Sequence, residues 1–194
     1  PKMESFDVNL HRLLSKKTLL KDAVVTPEEV IPMPGGVGAT FDFSDEQPIK
    51  TKEIYKLSWQ QFEALTVEVM SKELNANSAW LTNSGADKGA DGVIDNGRQL
   101  VLIQAKHTKG RYDGYEAIKE IVFAKSVYEE ELEKSDSKLM FITNATALSK
   151  RTRETAKQCN VEVLNGNAFA ELVEKHEITF KQLITRLDKK RLKV

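Results

Sequence analysis

The sequence lacks the features that mark secreted and membrane-spanning proteins. It has a single cysteine, Cys159, which excludes an intrachain disulfide framework and a zinc site built from cysteines. No apolar run approaches the roughly 20 residues that a membrane-spanning helix needs, and no segment resembles a secretory signal. We therefore expect a cytoplasmic protein without a membrane segment.

The sequence also has no excess of charge of either sign. Its 29 lysine and arginine residues balance 29 aspartate and glutamate residues. The overall positive charge of a dedicated nucleic-acid binder is therefore missing, so any affinity for phosphate must come from local groups. Hydrophobic residues make up 40% of the chain, which is typical of a folded globular protein.

The first quarter of the chain differs from the rest. An amphipathic stretch around residues 10–20 predicts a helix, and the prolines and glycines that follow it break regular structure. We predict an N-terminal helix and an extended linker or arm over residues 1–51. The main domain, with a C-terminal helical tail, is predicted over residues 52–194.

The main domain alternates between helical and strand patterns. After Ser58, a residue type favoured at helix N-termini, apolar residues recur at helical spacing. In chain order we predict a helix from 59, strands at 78–81, 92–95 and 99–107, a helix at 115–132, a strand at 138–143, a helix at 149–158, a strand at 161–164 and a helical tail from 168. A helix that joins two strands favours a parallel pair. The pattern therefore predicts an α/β domain with a mixed sheet.

The most informative segment is a glycine-rich turn that ends at Asp91 and is followed, one short strand later, by Gln104-Ala105-Lys106. Alternate residues of a strand share a face, so Gln104 and Lys106 point the same way, while Ala105 offers its carbonyl. A hairpin would bring the Asp91 carboxylate to the same end. Since Mg²⁺ prefers oxygen ligands, this group predicts a site for a small hard cation.

Two further side chains belong to the same prediction. A lysine beside a cation site can position a water and stabilise the charge that develops on a phosphate, which is the role predicted for Lys106. Glu63 lies at the edge of the apolar face of its helix, where a carboxylate needs a partner or a metal. We predict it as a further metal ligand, direct or through a water.

Other polar residues near this segment have simpler interpretations. The glycine-rich turn by itself is typical of a hairpin loop, and only the Gln-x-Lys pattern downstream favours a functional site. Asp87 is expected to order the turn. His107 faces the opposite side of its strand from Lys106, and we expect a structural role rather than general-acid catalysis.

Two basic groups are candidates for contact with nucleic acid. Lys109 and Arg111 follow the strand of Lys106, and Lys150, Arg151 and Arg153 lie at the start of a later helix. Charge runs are usually solvated surface. The first group lies close to the predicted cation site, which favours contact with phosphate. We predict that the second group binds phosphates as well.

Three segments together resemble a known family. Trp59-Gln60-Gln61-Phe62-Glu63, the turn Gly85-Ala86-Asp87-Lys88-Gly89-Ala90-Asp91 and Gln104-Ala105-Lys106 are similar to the signature blocks of the Mrr-type restriction endonuclease catalytic domain, in the PD-(D/E)xK nuclease superfamily. The resemblance covers residues 57–175. It implies a restriction-endonuclease-like three-layer α/β/α sandwich with a mixed central sheet.

The resemblance also implies residue roles. Asp91 would be the central metal ligand and Glu63 an accessory acid. Gln104 would replace the usual aspartate or glutamate, and Lys106 would be the catalytic lysine. Asp91, Gln104, the Ala105 carbonyl and Glu63 would then hold Mg²⁺, for which Mn²⁺ is expected to substitute.

The function that follows from the resemblance is a Mg²⁺-dependent endodeoxyribonuclease that acts on DNA in defence against foreign or modified DNA. Cutting both strands of a duplex requires two sites, so we expect a homodimer or higher oligomer, with further domains or partner subunits as an open question. One alternative is a non-catalytic nucleic-acid-binding or assembly module of a larger complex. Another is a Holliday-junction-type resolvase, which is less favoured because such enzymes usually carry glutamate at the position of Gln104.

Overall fold

The structure is a computed structural model, and it describes residues 46–83 and 88–192. All of these residues lie in one compact unit. The predicted N-terminal helix near residues 10–20 and the turn residue Asp87 lie outside the described residues. The division of the chain after residue 51 stays a prediction.

The described residues form helices and strands that alternate as the sequence predicts. In chain order they are α1 Thr51–Ile54, α2 Trp59–Glu73, β1 Ser78–Leu81, β2 Gly92–Asp95, β3 Leu100–Lys106, β4 Arg111–Tyr112, α3 Glu116–Glu131, β5 Lys138–Thr143, β6 Ala147–Leu148, α4 Lys150–Gln158, β7 Val161–Leu164, α5 Gly166–His176 and α6 Phe180–Asp188. None of these helices is long and apolar enough to cross a membrane.

Five strands form a mixed sheet in the order β1-β2-β3-β5-β7. The first three are antiparallel neighbours, while β3, β5 and β7 are parallel. Strand β3 lies in the centre and is buried along its length up to Ala105, which accounts for its near-continuous apolar sequence. The mixed sheet expected from the helix-joined strands is confirmed.

Helices cover both faces of the sheet. On one face α2, α5 and α6 share a core with the odd-numbered residues of β3, and Phe62 and Phe169 are fully buried in it. On the other face α3 and α4 pack on the even-numbered residues, including Leu100 and Leu102. The predicted three-layer α/β/α sandwich is therefore confirmed.

Helix α2 begins where the sequence predicts. The Ser58 hydroxyl accepts a hydrogen bond from the Gln61 N–H (3.2 Å), and the Gln61 side chain accepts one from the Ser58 N–H (2.7 Å). This reciprocal pair satisfies two backbone donors that would otherwise lack partners at a helix start. It fixes the end of α2 that carries Glu63.

The C-terminal part of the chain, for which the sequence predicts a helical tail from 168, is helical. It forms two helices, because the backbone turns at Glu177, which adopts a left-handed conformation with φ of 45°. The turn allows Ile49 to pack beside it: the Ile49 N–H donates to the Ile178 carbonyl (2.8 Å). Residues just ahead of α1 are thus attached to the domain.

The outer edge of β1 is covered by residues near the end of the chain. The Arg186 guanidinium donates to the Ala79 carbonyl (2.7 Å), and the Leu192 N–H donates to the Leu81 carbonyl (2.8 Å). Arg186 is also paired with the Glu68 carboxylate at 2.7 Å. These contacts protect an edge strand that would otherwise offer free backbone groups to another chain.

Candidate active site

Asp91 lies at the edge of the sheet where β2 begins and β3 ends. Its N–H donates to the Ile103 carbonyl (2.8 Å), and Ile103 is also the register partner of Gly92, so Asp91 enters β2 beside the end of β3. Its carboxylate accepts a hydrogen bond from the Ala105 N–H (2.7 Å), and the residue as a whole is 8% exposed. A strand residue points its N–H and C=O towards the same neighbour, so the Ala105 carbonyl faces the Asp91 side as well.

Gln104 is buried beside Asp91, and the two ends of its amide have different surroundings. The Nε2 group donates to Oε2 of Glu120 on α3 (3.2 Å). The Oε1 atom is buried and has no hydrogen-bond partner among the described residues. Since a buried acceptor without a partner costs free energy, this oxygen is suited to receive a ligand.

Lys106 completes the group on the same face of β3. Its Nζ lies 3.2 Å from the same Glu120 Oε2 atom, and its side chain is 37% exposed. Burial alone would lower the pKa of Lys106, but attraction to the carboxylates of Glu120 and Asp91 raises the pKa above the ordinary lysine value. Lys106 is therefore a cation at neutral pH.

The turn before Asp91 approaches α3 closely. Gly89 has a left-handed backbone with φ of 93°, and a Cβ at this position would collide with the backbone carbonyl of Glu120. Only glycine meets both requirements without strain. The contact places the turn that precedes Asp91 against α3, the helix that carries Glu120.

The donors at this edge fit a small hard cation. Asp91 supplies one carboxylate, Gln104 supplies an amide oxygen without a partner, and Ala105 supplies a carbonyl on the same side. Within residues 46–83 and 88–192, no three His, Cys, Asp or Glu side chains are grouped to hold a metal. A cation here would therefore depend on neutral oxygen ligands together with Asp91.

The structure does not place Glu63 in the same layer. Glu63 is half-buried on α2, which packs on the odd-numbered face of β3, whereas Gln104 and Lys106 face α3. Its role as an accessory ligand stays a prediction. His107, also on the α2 side, donates a hydrogen bond from its ring Nε2–H to the Ile54 carbonyl (3.0 Å) and contacts the Phe62 ring.

The two predicted basic groups form one surface. Strands β4 and β6 pair in parallel, with Arg111 opposite Ala147, and the Ser149 N–H donates to the Tyr112 carbonyl (3.0 Å). The segment after β3 and the start of α4 therefore lie side by side. This adjacency joins groups that are far apart in the sequence.

The basic side chains differ in how their charges are engaged. Arg111 pairs with Asp113, Lys150 lies 3.7 Å from Glu154, and Arg153 donates to the Leu148 carbonyl. Arg151 instead lies over the Tyr115 ring, 3.9 Å from its centroid, and Lys119 lies 4.4 Å from the same ring. Lys109 is exposed on the same surface.

Sequence reasoning missed Glu120 as a member of the site. It lies three residues after Ala117 and four before Ala124, both of which are buried on the sheet-facing side of α3. A carboxylate at the edge of an apolar helical face was the signal used for Glu63, and it applied equally here. Tyr115 and Lys119, which lie beside Arg151, were missed as well.

Comparison with solved structures identifies the class of fold. The chain is similar to the MspJI restriction endonuclease, solved in complex with a 27-mer oligonucleotide, with a TM-score of 0.51 and 20% identity. The similarity covers 79% of this chain and 39% of that chain, so the chain spans well under half of that protein. The fold is therefore of restriction-endonuclease type.

The particular family follows from the sequence match. The Mrr catalytic-domain model, described as a restriction endonuclease, matches residues 54–173, and the chain belongs to this family. No curated protein matches the chain at a significant level.

A second solved structure has a weaker similarity. It is the small subunit (R.BspD6I2) of the heterodimeric restriction endonuclease R.BspD6I, with 14% identity and a TM-score of 0.36. The similarity covers 71% of this chain and 92% of that chain.

The Gly89 turn generates a stability prediction with a matched control. Gly89→Ala should destabilise the domain by roughly 2–4 kcal/mol, because it combines left-handed strain with the collision at Glu120. Gly110→Ala should cost only about 1 kcal/mol, since Gly110 has φ of 75° but open space around its Cβ position. Urea unfolding of both variants measures the difference, and equal losses would contradict a close approach at Gly89.

Proposed function

We propose that this chain is a Mg²⁺-dependent endodeoxyribonuclease that hydrolyses phosphodiester bonds of DNA. The observation that carries the proposal is the convergence of Asp91, Gln104 and Lys106 at one edge of the sheet, within a domain of a restriction endonuclease family. Together they place a carboxylate, an amide oxygen without a partner among the described residues, and a lysine cation at this edge. These groups match the needs of phosphodiester hydrolysis.

In this proposal Asp91, the Gln104 Oε1 atom and the Ala105 carbonyl hold the cation, with Glu63 as an accessory acid. A bound divalent cation would lower the pKa of an attacking water and offset charge on the phosphate. The protein fixes the ligands beforehand: the Ala105 N–H holds the Asp91 carboxylate, and burial restricts the Gln104 amide. Such preorganisation limits the rearrangement needed when substrate binds.

Lys106 is proposed to stabilise the transition state as a cation. Attraction to the carboxylates of Glu120 and Asp91 raises the pKa of Lys106, which favours the protonated ammonium in the free protein. Its three N–H donors can instead contact a phosphate oxygen as negative charge develops. Its partial exposure leaves a path for the substrate to reach it.

The biological setting is also a proposal. Family membership supports a role in defence against foreign or modified DNA. Because one site cuts one strand, duplex cleavage would need a homodimer, a higher oligomer, or a partner subunit. Further domains of a larger protein are an alternative source of specificity.

The role of Lys106 can be separated from stability. Lys106→Met should reduce cleavage of supercoiled plasmid in Mg²⁺ by about 100-fold or more, because charge stabilisation in the transition state is lost. Its melting temperature should stay close to wild type. Plasmid nicking and linearisation on agarose gels, with thermal unfolding in parallel, measure both effects.

A matched control exists at the other end of the sheet. Lys138 begins β5, is 34% exposed and pairs with Glu162 at 2.6 Å, much as Lys106 pairs with Glu120. Lys138→Met should cleave like wild type. Wild-type protein that never cleaves DNA in Mg²⁺ would favour a non-catalytic module, and a fully active Lys106→Met would refute the proposed mechanism.

The metal ligands should differ in importance. Asp91→Asn should abolish measurable Mn²⁺ binding, because it removes the charge of the carboxylate that the Ala105 N–H holds at the end of β3. Glu63→Gln should only weaken binding, since Glu63 lies in the opposite layer. Calorimetric Mn²⁺ titration distinguishes them, and identical behaviour of the two variants would show that this ranking is wrong.

DNA binding should depend on the joined basic surface. Arg151→Ala and Lys109→Ala should each weaken binding of a short duplex in Ca²⁺, while Lys157→Ala, on the far end of α4, should not. With about 3 to 5 phosphate contacts, log affinity should fall with log salt with a slope of roughly −3 to −5. Fluorescence anisotropy across a salt series measures this, and a salt-independent affinity would contradict phosphate contact.

A further inference from the structure

Glu120 connects the two polar residues of β3 to a helix of the other layer. A single oxygen atom, Oε2, accepts hydrogen bonds from the Gln104 amide (3.2 Å) and the Lys106 ammonium (3.2 Å). The Glu120 side chain is 45% exposed, so neither contact is forced by close packing around the carboxylate. The arrangement therefore reflects charge and hydrogen bonding rather than lack of space.

The hydrogen bond from Gln104 sets which end of its amide faces the site. An ionised carboxylate only accepts hydrogen bonds, so it can pair with the NH₂ end of a glutamine but not with the oxygen end. With Nε2 held by Glu120, Oε1 is the end left without a partner among the described residues. Rotation of the amide by half a turn would place two oxygens together at Glu120 and present N–H groups, which cannot bind a cation, in place of Oε1.

The backbone of Glu120 contributes to the same arrangement. Its carbonyl packs against Gly89, in the turn that leads to Asp91, so tightly that a Cβ on Gly89 would not fit. One residue of α3 therefore touches the turn before Asp91 through its main chain and Gln104 and Lys106 through its side chain. A shift of Glu120 would disturb all three.

We propose that Glu120 is a positioning residue that orients the Gln104 amide with Oε1 towards the bound cation and keeps the Lys106 ammonium beside it. This inference rests on the proposed metal-dependent function. In this inference the Glu120 carboxylate holds the neutral Gln104 amide in the one orientation in which its oxygen can bind a cation. Partners of this kind that orient a metal ligand typically change metal affinity by about 10- to 100-fold when removed.

The direct test of the contact needs no metal. In ¹H–¹⁵N spectra of the DNA-free protein, the Gln104 side-chain NH₂ pair, identified by its loss in Gln104→Met, should show one strongly hydrogen-bonded proton. Glu120→Ala should remove the difference in chemical shift between the hydrogen-bonded proton and the other proton of the NH₂ pair. Glu130→Gln, which changes an exposed glutamate of the same helix, should leave this difference unchanged. An unchanged Gln104 signal in Glu120→Ala would overturn the inference.

The consequence is tested by Mn²⁺ binding, followed by electron paramagnetic resonance without DNA. Glu120→Ala should weaken binding about 10-fold or more, and Glu120→Gln should also weaken it, because a neutral amide can pair with either end of Gln104. In a Gln104→Met background, Glu120→Ala should have little further effect, since there is no amide to orient. An equal loss in both backgrounds would mean that Glu120 acts on the metal directly, which overturns the inference.

Failure of the inference is distinguishable from failure of the proposed function. Wild-type protein that binds no Mn²⁺, with or without DNA, would refute the proposed metal site, whatever Glu120 does. Normal wild-type binding with unaffected Glu120 variants would leave the nuclease proposal intact and refute the positioning role. Thermal unfolding of each variant checks that the fold is retained.

Discussion

The site depends on the register of the hairpin between β2 and β3. The ladder pairs Gly92 with Ile103, so Asp91 enters β2 beside the end of β3, where the Ala105 N–H donates to its carboxylate. A slip of one residue would turn Gln104 and Lys106 from the α3 face to the α2 face, because side chains alternate along a strand. Such a slip would press the polar Gln104 and the charged Lys106 against the apolar core formed with α2, which opposes it.

The polar residues at the end of β3 cost free energy of folding. A strand that could have ended in apolar residues instead buries an amide with one oxygen unsatisfied and holds a lysine between two carboxylates. Replacement of such groups by apolar side chains is often neutral or stabilising. Their presence in the most buried strand of the sheet is best explained by chemistry, since local rules of stability tend to be broken where a protein binds or reacts.

Much of the fold could be predicted from the sequence because its signals are local. The run Leu100-Val101-Leu102-Ile103 marked the central strand, and the Ser58 cap marked the start of α2. The break at Glu177 could not be predicted, because a glutamate in a left-handed conformation leaves no compositional mark. Strands β4 and β6 have two residues each, which is too short for a strand pattern to show in the sequence. The pairing that brings the two basic groups side by side therefore could not be predicted.

The same contrast holds within the candidate site. Asp91, Gln104 and Lys106 lie within one hairpin, whose geometry follows from alternation along strands. Glu120 reaches them from a helix, and which helical residue meets which strand residue depends on the packing of α3 against β3. That packing is set by the whole core. A carboxylate at the edge of an apolar helix face indicates that it has a polar partner on the neighbouring element. It does not indicate which residue that partner is.

The most direct test of the central claim is a crystal structure with Mn²⁺ and a short DNA duplex, using the anomalous signal to place the ion. The account predicts a peak between the Asp91 carboxylate and Gln104 Oε1, with Gln104 Nε2 still turned to Glu120. A peak bounded by other residues, or a Gln104 amide turned with Nε2 towards the ion, would contradict it.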